Sequence, residues 1–195
     1  MVFWPDPFPA RSDGMKKRTI NIAALMMAVL GTFLTGAVPS FALEGTEYQI
    51  KGAMMVNFIK FVEWPESAVS SGEDIIVIGI IGQDAFGDTL DHIEGRMIGG
   101  KRLTVRHFDS ISDIEACQVL FVSRSEAYHT RAILDRVAGA PVLTIGETDS
   151  FTQAGGITRF FLEKNRVRFE INPSAAADAG LKLNAKLLEV ARLIK

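Results

Sequence analysis

Few residues in this chain have the type and spacing to do chemistry. The three histidines, His92, His107 and His129, are scattered and lack any metal-ligand spacing. Ser123-Arg124-Ser125-Glu126 closes an apolar run and opens a helical pattern, where a strained nucleophile turn could sit. The glycines of Gly-x-Ser-x-Gly are missing, however, and Ser123 or Ser125 reads better as the cap of a helix beginning near Glu126. Gly79, Gly82 and Gly87 do not make the Gly-x-Gly-x-x-Gly phosphate fingerprint. Cys117 directly precedes an apolar run and reads as a small buried hydrophobe. No nucleophile with its base, metal cluster or cofactor cradle is in view. The expectation is a protein that is not an enzyme, with no catalytic residues, metal or cofactor.

Residues 155–172 look prepared to hold something. Two alternating runs flank Lys164-Asn165, and Asn tolerates the left-handed backbone of a tight hairpin turn. The register this predicts pairs Leu162 with Val167, Phe160 with Phe169 and Thr158 with Ile171 on one face. On the other face Glu163 meets Arg166, Phe161 meets Arg168 and Arg159 meets Glu170. The first face, with Phe160, Leu162, Val167 and Phe169, belongs in the core. The second is charged around one aromatic. Arg168 presents a guanidinium fork suited to a carboxylate or phosphate, with Phe161 beside it as a stacking platform. Arg159, Phe161, Arg168 and Glu170 are therefore candidate contacts for a ligand or partner. The plainer use of this face is a solvated surface with cross-strand pairs Arg159–Glu170 and Arg166–Glu163, which stabilise little. Trp64 is a further candidate; its alternative use is packing where the first helix meets the domain.

The elements that must position these residues follow from periodicity. Residues 44–64 read as a helix with Tyr48, Met55, Phe58 and Val62 on one stripe, widened by Met54, Ile59 and Phe61 and ended by Pro65. Residues 74–81 are apolar throughout, as in a strand buried on both faces of a parallel sheet. Asp84 can cap a short helix reaching about Glu94, and a glycine-rich loop at 97–102 leads into a second strand, 103–108. A short helix at 112–116, a third strand at 118–123, an amphipathic helix at 126–138 and a fourth strand at 141–145 follow. In the 126–138 helix, Ala132, Ile133 and Val137 are expected to face inward. Such alternation predicts an α/β fold with a largely parallel sheet flanked by helices. After the hairpin, Asn172-Pro173 starts a short helix that ends at Gly180. Asn184 caps a last helix with Leu187, Val190, Ala191 and Ile194 on one stripe.

Composition narrows the setting. At 195 residues, 48% hydrophobic and 23% charged, the chain can build one real core but not two large domains. Met15-Lys16-Lys17-Arg18 is a basic start, residues 20–38 are almost uncharged, and Ser40-Phe41-Ala42 supplies small residues for cleavage after Ala42. That is the layout of a secretory signal peptide over 15–42; left uncut, the run is long enough to span a bilayer. Met15 then reads as the initiator, and residues 1–14 as a mis-assigned, disordered start. Residues 43–195 are the expected single domain. Losing residues 1–42 removes Arg11, Lys16, Lys17, Arg18, Asp6 and Asp13, which moves the formal net charge from −2 to −4. No footprint for nucleic acid remains. One cysteine forms no internal disulfide, and none sits at the cleavage site to carry a lipid.

Several ordered stretches resemble the YfiR-like family. They are Phe61-Val62-Glu63-Trp64-Pro65, Leu120-Phe121-Val122-Ser123-Arg124-Ser125-Glu126, Val142-Leu143-Thr144-Ile145-Gly146 before Phe151, and Gly155-Gly156-Ile157. Val167-Arg168-Phe169-Glu170-Ile171-Asn172 and Ala179-Gly180-Leu181-Lys182, with Lys186-Leu187-Leu188, complete the set. The resemblance implies a periplasmic α/β protein, often dimeric and not an enzyme. It implies repression of an inner-membrane diguanylate cyclase through the cyclase's periplasmic sensor domain, limiting cyclic di-GMP and biofilm formation. An outer-membrane lipoprotein that sequesters the repressor is implied as a second partner. Cys117 matches one family cysteine without its mate, which sets disulfide control apart from this chain. Relatives carry basic or histidine residues near a small-molecule site on the second hairpin strand. Arg168 matches in kind and Glu170 does not, so a small anionic ligand here would differ. The other reading is a periplasmic small-molecule-binding module serving a transporter or sensor kinase.

Overall fold

The apolar run after Asp74 becomes the middle of the sheet. In this computed structural model, which describes residues 40–69 and 74–194, β2 (Ile75–Ile81) lies parallel to β4 (Lys101–Phe108) on one side and β5 (Val119–Val122) on the other. Successive side chains of β2 leave by opposite faces: Ile76, Ile78 and Ile80 into one core, Val77 and Ile81 into the other. β6 (Leu143–Gly146) runs parallel beside β5, β7 (Thr158–Glu163) parallel beside β6, and β8 (Arg166–Ile171) returns antiparallel. Two short strands sit at the edges: β3 (Met97–Ile98) against β4, and β10 (Arg192–Leu193) parallel to β8. The order is β10-β8-β7-β6-β5-β2-β4-β3. The fold is α/β, with a largely parallel sheet between helices.

The first face is covered chiefly by α1 (Ser40–Phe61), whose Phe58 stacks on Phe160 at 5.7 Å and tilts against Phe169 at 4.8 Å between ring centroids. Leu90 of α3 (Asp88–Asp91), Ala176 of α5 (Pro173–Asp178) and Leu187 of α6 (Ala185–Val190) join that core. Ile133 and Leu134 of α4 (Thr130–Arg136) fill the second face with Leu120, Val122 and Phe151. Asn172 and Asn184 cap α5 and α6 as expected, accepting the amides of Ala175 and Lys186. The hairpin register is the expected one at all six pairs, and Lys164 and Asn165 both have positive φ, 51° and 58°.

Several expectations are corrected. The first helix stops at Phe61, not Trp64. Val62 and Glu63 form β1, ahead of one helical turn, α2 (Glu66–Val69), and pair with β9 (Lys182–Leu183), while Phe61's carbonyl accepts the Asn184 amide at 2.9 Å. Asp84 does not cap the next helix; its carboxylate accepts the Phe86 amide at 2.7 Å in a turn, and α3 begins later, behind Gly87. The glycine-rich loop is itself a hairpin, because Gly99 and Gly100 turn β3 directly into β4. The 112–116 helix is a single 3-10 turn, Ile111–Asp113. The 126–138 helix shrinks to α4 behind another such turn, Arg124–Glu126. Its buried residues are Thr130, Ile133 and Leu134, while Ala132 faces outward. Ser123 and Ser125 cap nothing with their side chains. Ser123 Oγ donates to the Gln83 carbonyl at 2.6 Å and Ser125 Oγ accepts the Gln83 amide at 2.9 Å, stitching the ends of β5 and β2 together. Leu162 is 53% exposed, two residues beyond the ring that α1 covers. The last helix ends at Val190, itself 69% exposed, because residues 192–193 join the sheet instead of extending the stripe. The segments expected as a mis-assigned start and a signal peptide, up to residue 39, lie outside the described residues. Among the described residues no helix is long and apolar enough to cross a membrane.

Candidate functional site

In an open parallel sheet, ligands gather at the carboxyl ends of the strands. Here that rim is built around Phe151, fully buried against Gly146 and Gly156; a Cβ at either glycine would run into its ring. This packing fixes the turn that carries Glu147, Thr148 and Asp149 away from β6. Glu147 points back to α1. Lys51 Nζ lies 2.6 Å from Glu147 Oε2 and 2.6 Å from Glu47 Oε1, and 4.2 Å from the centroid of the Tyr48 ring. Tyr48 OH donates to Glu147 at 3.1 Å, and the Arg124 amide donates to Glu147 at 3.1 Å. Lys51 and Glu147 are only 1% and 3% exposed, so this is a buried ion pair whose charges depend on each other. Burial, with the Glu147 charge beside it, holds the Tyr48 phenol well above its usual range and keeps it a donor. The cluster pins α1 to the rim.

The same turn reaches the hairpin through Asp149. Arg159 donates Nε and Nη2 to the two oxygens of Glu170 at 2.8 and 3.0 Å, and Nη1 to Asp149 at 2.8 Å. Thr152 Oγ1 also donates to Glu170 at 2.6 Å. The Arg159 fork, helped by Thr152, holds the Glu170 carboxyl below its ordinary range despite burial, and Glu170 raises Arg159 in turn. Phe161 is half-buried beneath two guanidinium groups, Arg159 at 5.1 Å and Arg192 at 4.3 Å from its ring centroid. Glu163 is paired with Arg192 at 2.7 Å rather than with Arg166. Lys164, Arg166 and Arg168 are exposed and have no acidic partner among the described residues.

Of the five candidate residues, four share the hairpin face. Arg159 and Glu170 saturate each other and stiffen it, Phe161 is its aromatic floor, and Arg168 carries a charge unpaired among the described residues. Trp64 is not among them. It lies near β2, β3 and β4, lining a cavity of about 300 Å³ with Ile76, Ile98 and Lys101, with β5 and β6 between it and the hairpin. Its indole Nε1 is buried without a partner among the described residues, as is Thr148 Oγ1 on the rim.

The Lys51–Glu147 pair was missed from the sequence. A lysine on the apolar stripe, three residues after Tyr48 and four before Met55, was the available signal. Ser125, Glu126 and His129 do touch in sequence, but Ser125 Oγ reaches Glu126 at 3.2 Å and His129 Nδ1 reaches the same carboxylate at 3.0 Å. The serine meets the acid and not the imidazole, which is the wrong order for an activated nucleophile. Among the described residues no group of His, Cys, Asp and Glu could hold a metal.

The profile of the YfiR/HmsC-like family matches residues 48–192. The chain belongs to that family. The family is one of periplasmic regulators linked to diguanylate cyclases. Among the solved structures that share the fold are two of low identity. One is a conserved domain protein from Vibrio cholerae, 13% identical with a TM-score of 0.50. The other is an ABC domain from Streptococcus pneumonia in complex with L-Trp, 11% identical with a TM-score of 0.51. Each likeness covers 76% of this chain, and the chain spans 60% of the length of each of those structures. At such identities the likeness is one of fold. Family membership comes from the profile, and it takes in both the rim and the hairpin.

Proposed function

We propose that this protein is a periplasmic regulatory binding protein that represses a membrane-bound diguanylate cyclase through the cyclase's periplasmic sensor domain. By that route it limits cyclic di-GMP signalling and biofilm formation. The observation that carries this reading is the family match from residue 48 to 192, which spans nearly all the described chain. The hairpin face is the contact surface. Arg168 meets the partner with Phe161 beside it on the neighbouring strand, and Arg159 and Glu170 hold the strands that present them. Trp64 offers a second contact point, separate from the first. An outer-membrane lipoprotein acting as sequestering partner, a homodimer and a small anionic ligand at Arg168 belong to the same reading. So do export by a signal peptide cleaved near Ala42 and a domain spanning residues 43–195.

A pull-down from membrane extract tests it. Wild-type protein should retain a diguanylate cyclase, and Arg168→Ala should retain at least about tenfold less, the loss of one charge-assisted contact. Deleting the gene should raise cellular cyclic di-GMP. Unchanged cyclic di-GMP across several growth conditions, with no cyclase retained, would sink the reading. Retention of a transporter receptor or a sensor kinase instead would favour the small-molecule-binding module.

A further inference from the structure

Among the described residues, strand β8 is fully paired on one side and mostly without a partner strand on the other. It meets β7 along its whole length, Arg166 to Ile171, but meets β10 only at Glu170 and Ile171. A two-residue turn closes on a hydrogen-bonded pair, here Glu163 with Arg166. Alternation then turns the main-chain groups of Val167, Phe169 and Ile171 away from β7. Ile171 behaves accordingly, its carbonyl accepting the Ile194 amide at 3.0 Å. The outward amides of Val167 and Phe169, and the Val167 carbonyl, are left without a strand partner among the described residues. Unpaired main-chain groups of this kind form a template for an added strand. β10 already uses the same edge from Glu170 onward, so a further strand would lie beside Arg166–Phe169, ahead of the point where β10 begins.

Side chains decide which strand. Lys164, Arg166 and Arg168 project at this edge, all cationic and all without an acidic partner among the described residues. A second copy of the chain is a poor occupant, because antiparallel pairing of two β8 edges would set arginines against arginines. On the opposite face the neighbourhood is apolar: Leu162 and Leu193 are 53% and 51% exposed. A strand laid beside β8 therefore meets cations with one set of alternate side chains and apolar surface with the other.

We propose that the free edge of β8 at Arg166–Phe169 is a strand-addition site for an extended partner segment in which acidic and apolar residues alternate. The inference rests on the reading of the hairpin as a contact surface and gives that contact a main-chain geometry.

The probe is a blocked octapeptide of alternating glutamate and valine, set against a lysine–valine peptide of the same length, with the protein as isolated from cells. Amide hydrogen exchange followed by NMR should show Val167 and Phe169 slowed about tenfold by the glutamate peptide and not by the lysine one. The Arg166→Glu, Arg168→Glu double variant should reverse that preference. Val167→Pro removes an outward donor that β7 does not use and should abolish the protection of Phe169. If Val167→Pro fails to fold, the charge-reversed variant decides alone. Equal protection by both peptides, no protection at either amide, or protection that survives Val167→Pro overturns the proposal. Concentration-dependent protection without peptide would assign the edge to a second copy and overturns it too. In the membrane pull-down, a cyclase retained equally by wild type and Val167→Pro removes the edge from the mechanism and leaves the function standing. No cyclase retained by wild type removes the function whatever the peptides do.

Discussion

Two buried carboxylates set the behaviour of this protein at the scale of single residues. Glu147 is held by Lys51, Tyr48 and the Arg124 amide in nearly complete burial. Lys51→Ala would leave its charge buried without a counter-ion, which should cost about 3–5 kcal/mol in urea unfolding. Lys51→Met combined with Glu147→Gln removes both charges and should recover most of that loss. If the double variant proves no more stable than Lys51→Ala, the account of Lys51 as counter-ion is wrong. Glu170 gives a pH dependence with a definite sign. Its carboxyl titrates below the ordinary 4.5 when folded, because Arg159 and Thr152 bond the charged form. The stabilisation is therefore fully present above about pH 4.5 and is lost as pH falls through the lowered folded value. Thermal midpoints measured between pH 7 and pH 3 should fall more steeply for wild type than for Glu170→Gln. Parallel curves would contradict the assignment.

Among the elements, the hairpin and the rim turn rest on backbone geometry that substitutions can probe. Lys164 and Asn165 both occupy the left-handed region, where a residue with a Cβ costs about 1–2 kcal/mol relative to glycine. Replacing Lys164-Asn165 with Asn-Gly should raise the unfolding free energy by about 1 kcal/mol without moving the register, a change readable from denaturant midpoints. Gly156→Ala should do the reverse. Its Cβ has no room beside the Phe151 ring, and the overpacking should cost about 1–3 kcal/mol and loosen the turn that aims Glu147 and Asp149. A variant as stable as wild type would mean that the ring is free to move. The hairpin was legible because turn and alternation agreed on one register. β1, β3, β9 and β10 were not, since strands of two residues carry no periodicity.

For the molecule as a whole, Cys117 reports on opening. Burial pushes its thiol up to about 12, so the reactive thiolate is scarce at neutral pH and the side chain is out of reach. Labelling by a thiol reagent at pH 8 should proceed at the rate of global unfolding and accelerate with urea. Fast labelling of native protein would show a local opening beside β5. The sheet around it explains this reserve. β2, β5 and β6 are parallel and buried on both faces, with β4 half-exposed beside them, while the contact surfaces lie at the ends of the strand order.

The sequence by itself determined the α/β class, the register of the hairpin, the two asparagine caps and the family. Each is written locally, in alternation, turn residues or an ordered run of motifs. It also marked Phe161 and Arg168 as residues with no core use. Only the tertiary structure decided that the Arg159–Glu170 pair, expected from the register, is joined by Asp149 and Thr152 with Glu170 buried. The same holds for the separation of Trp64 from the hairpin and for Glu163 preferring Arg192 to Arg166. It alone joined Lys51 to Glu147, 96 residues apart in the chain. A single strand pattern cannot say which neighbour covers it or how far along its edge that cover runs. Pairings of this kind depend on which distant segments the core brings together, and no local period encodes that.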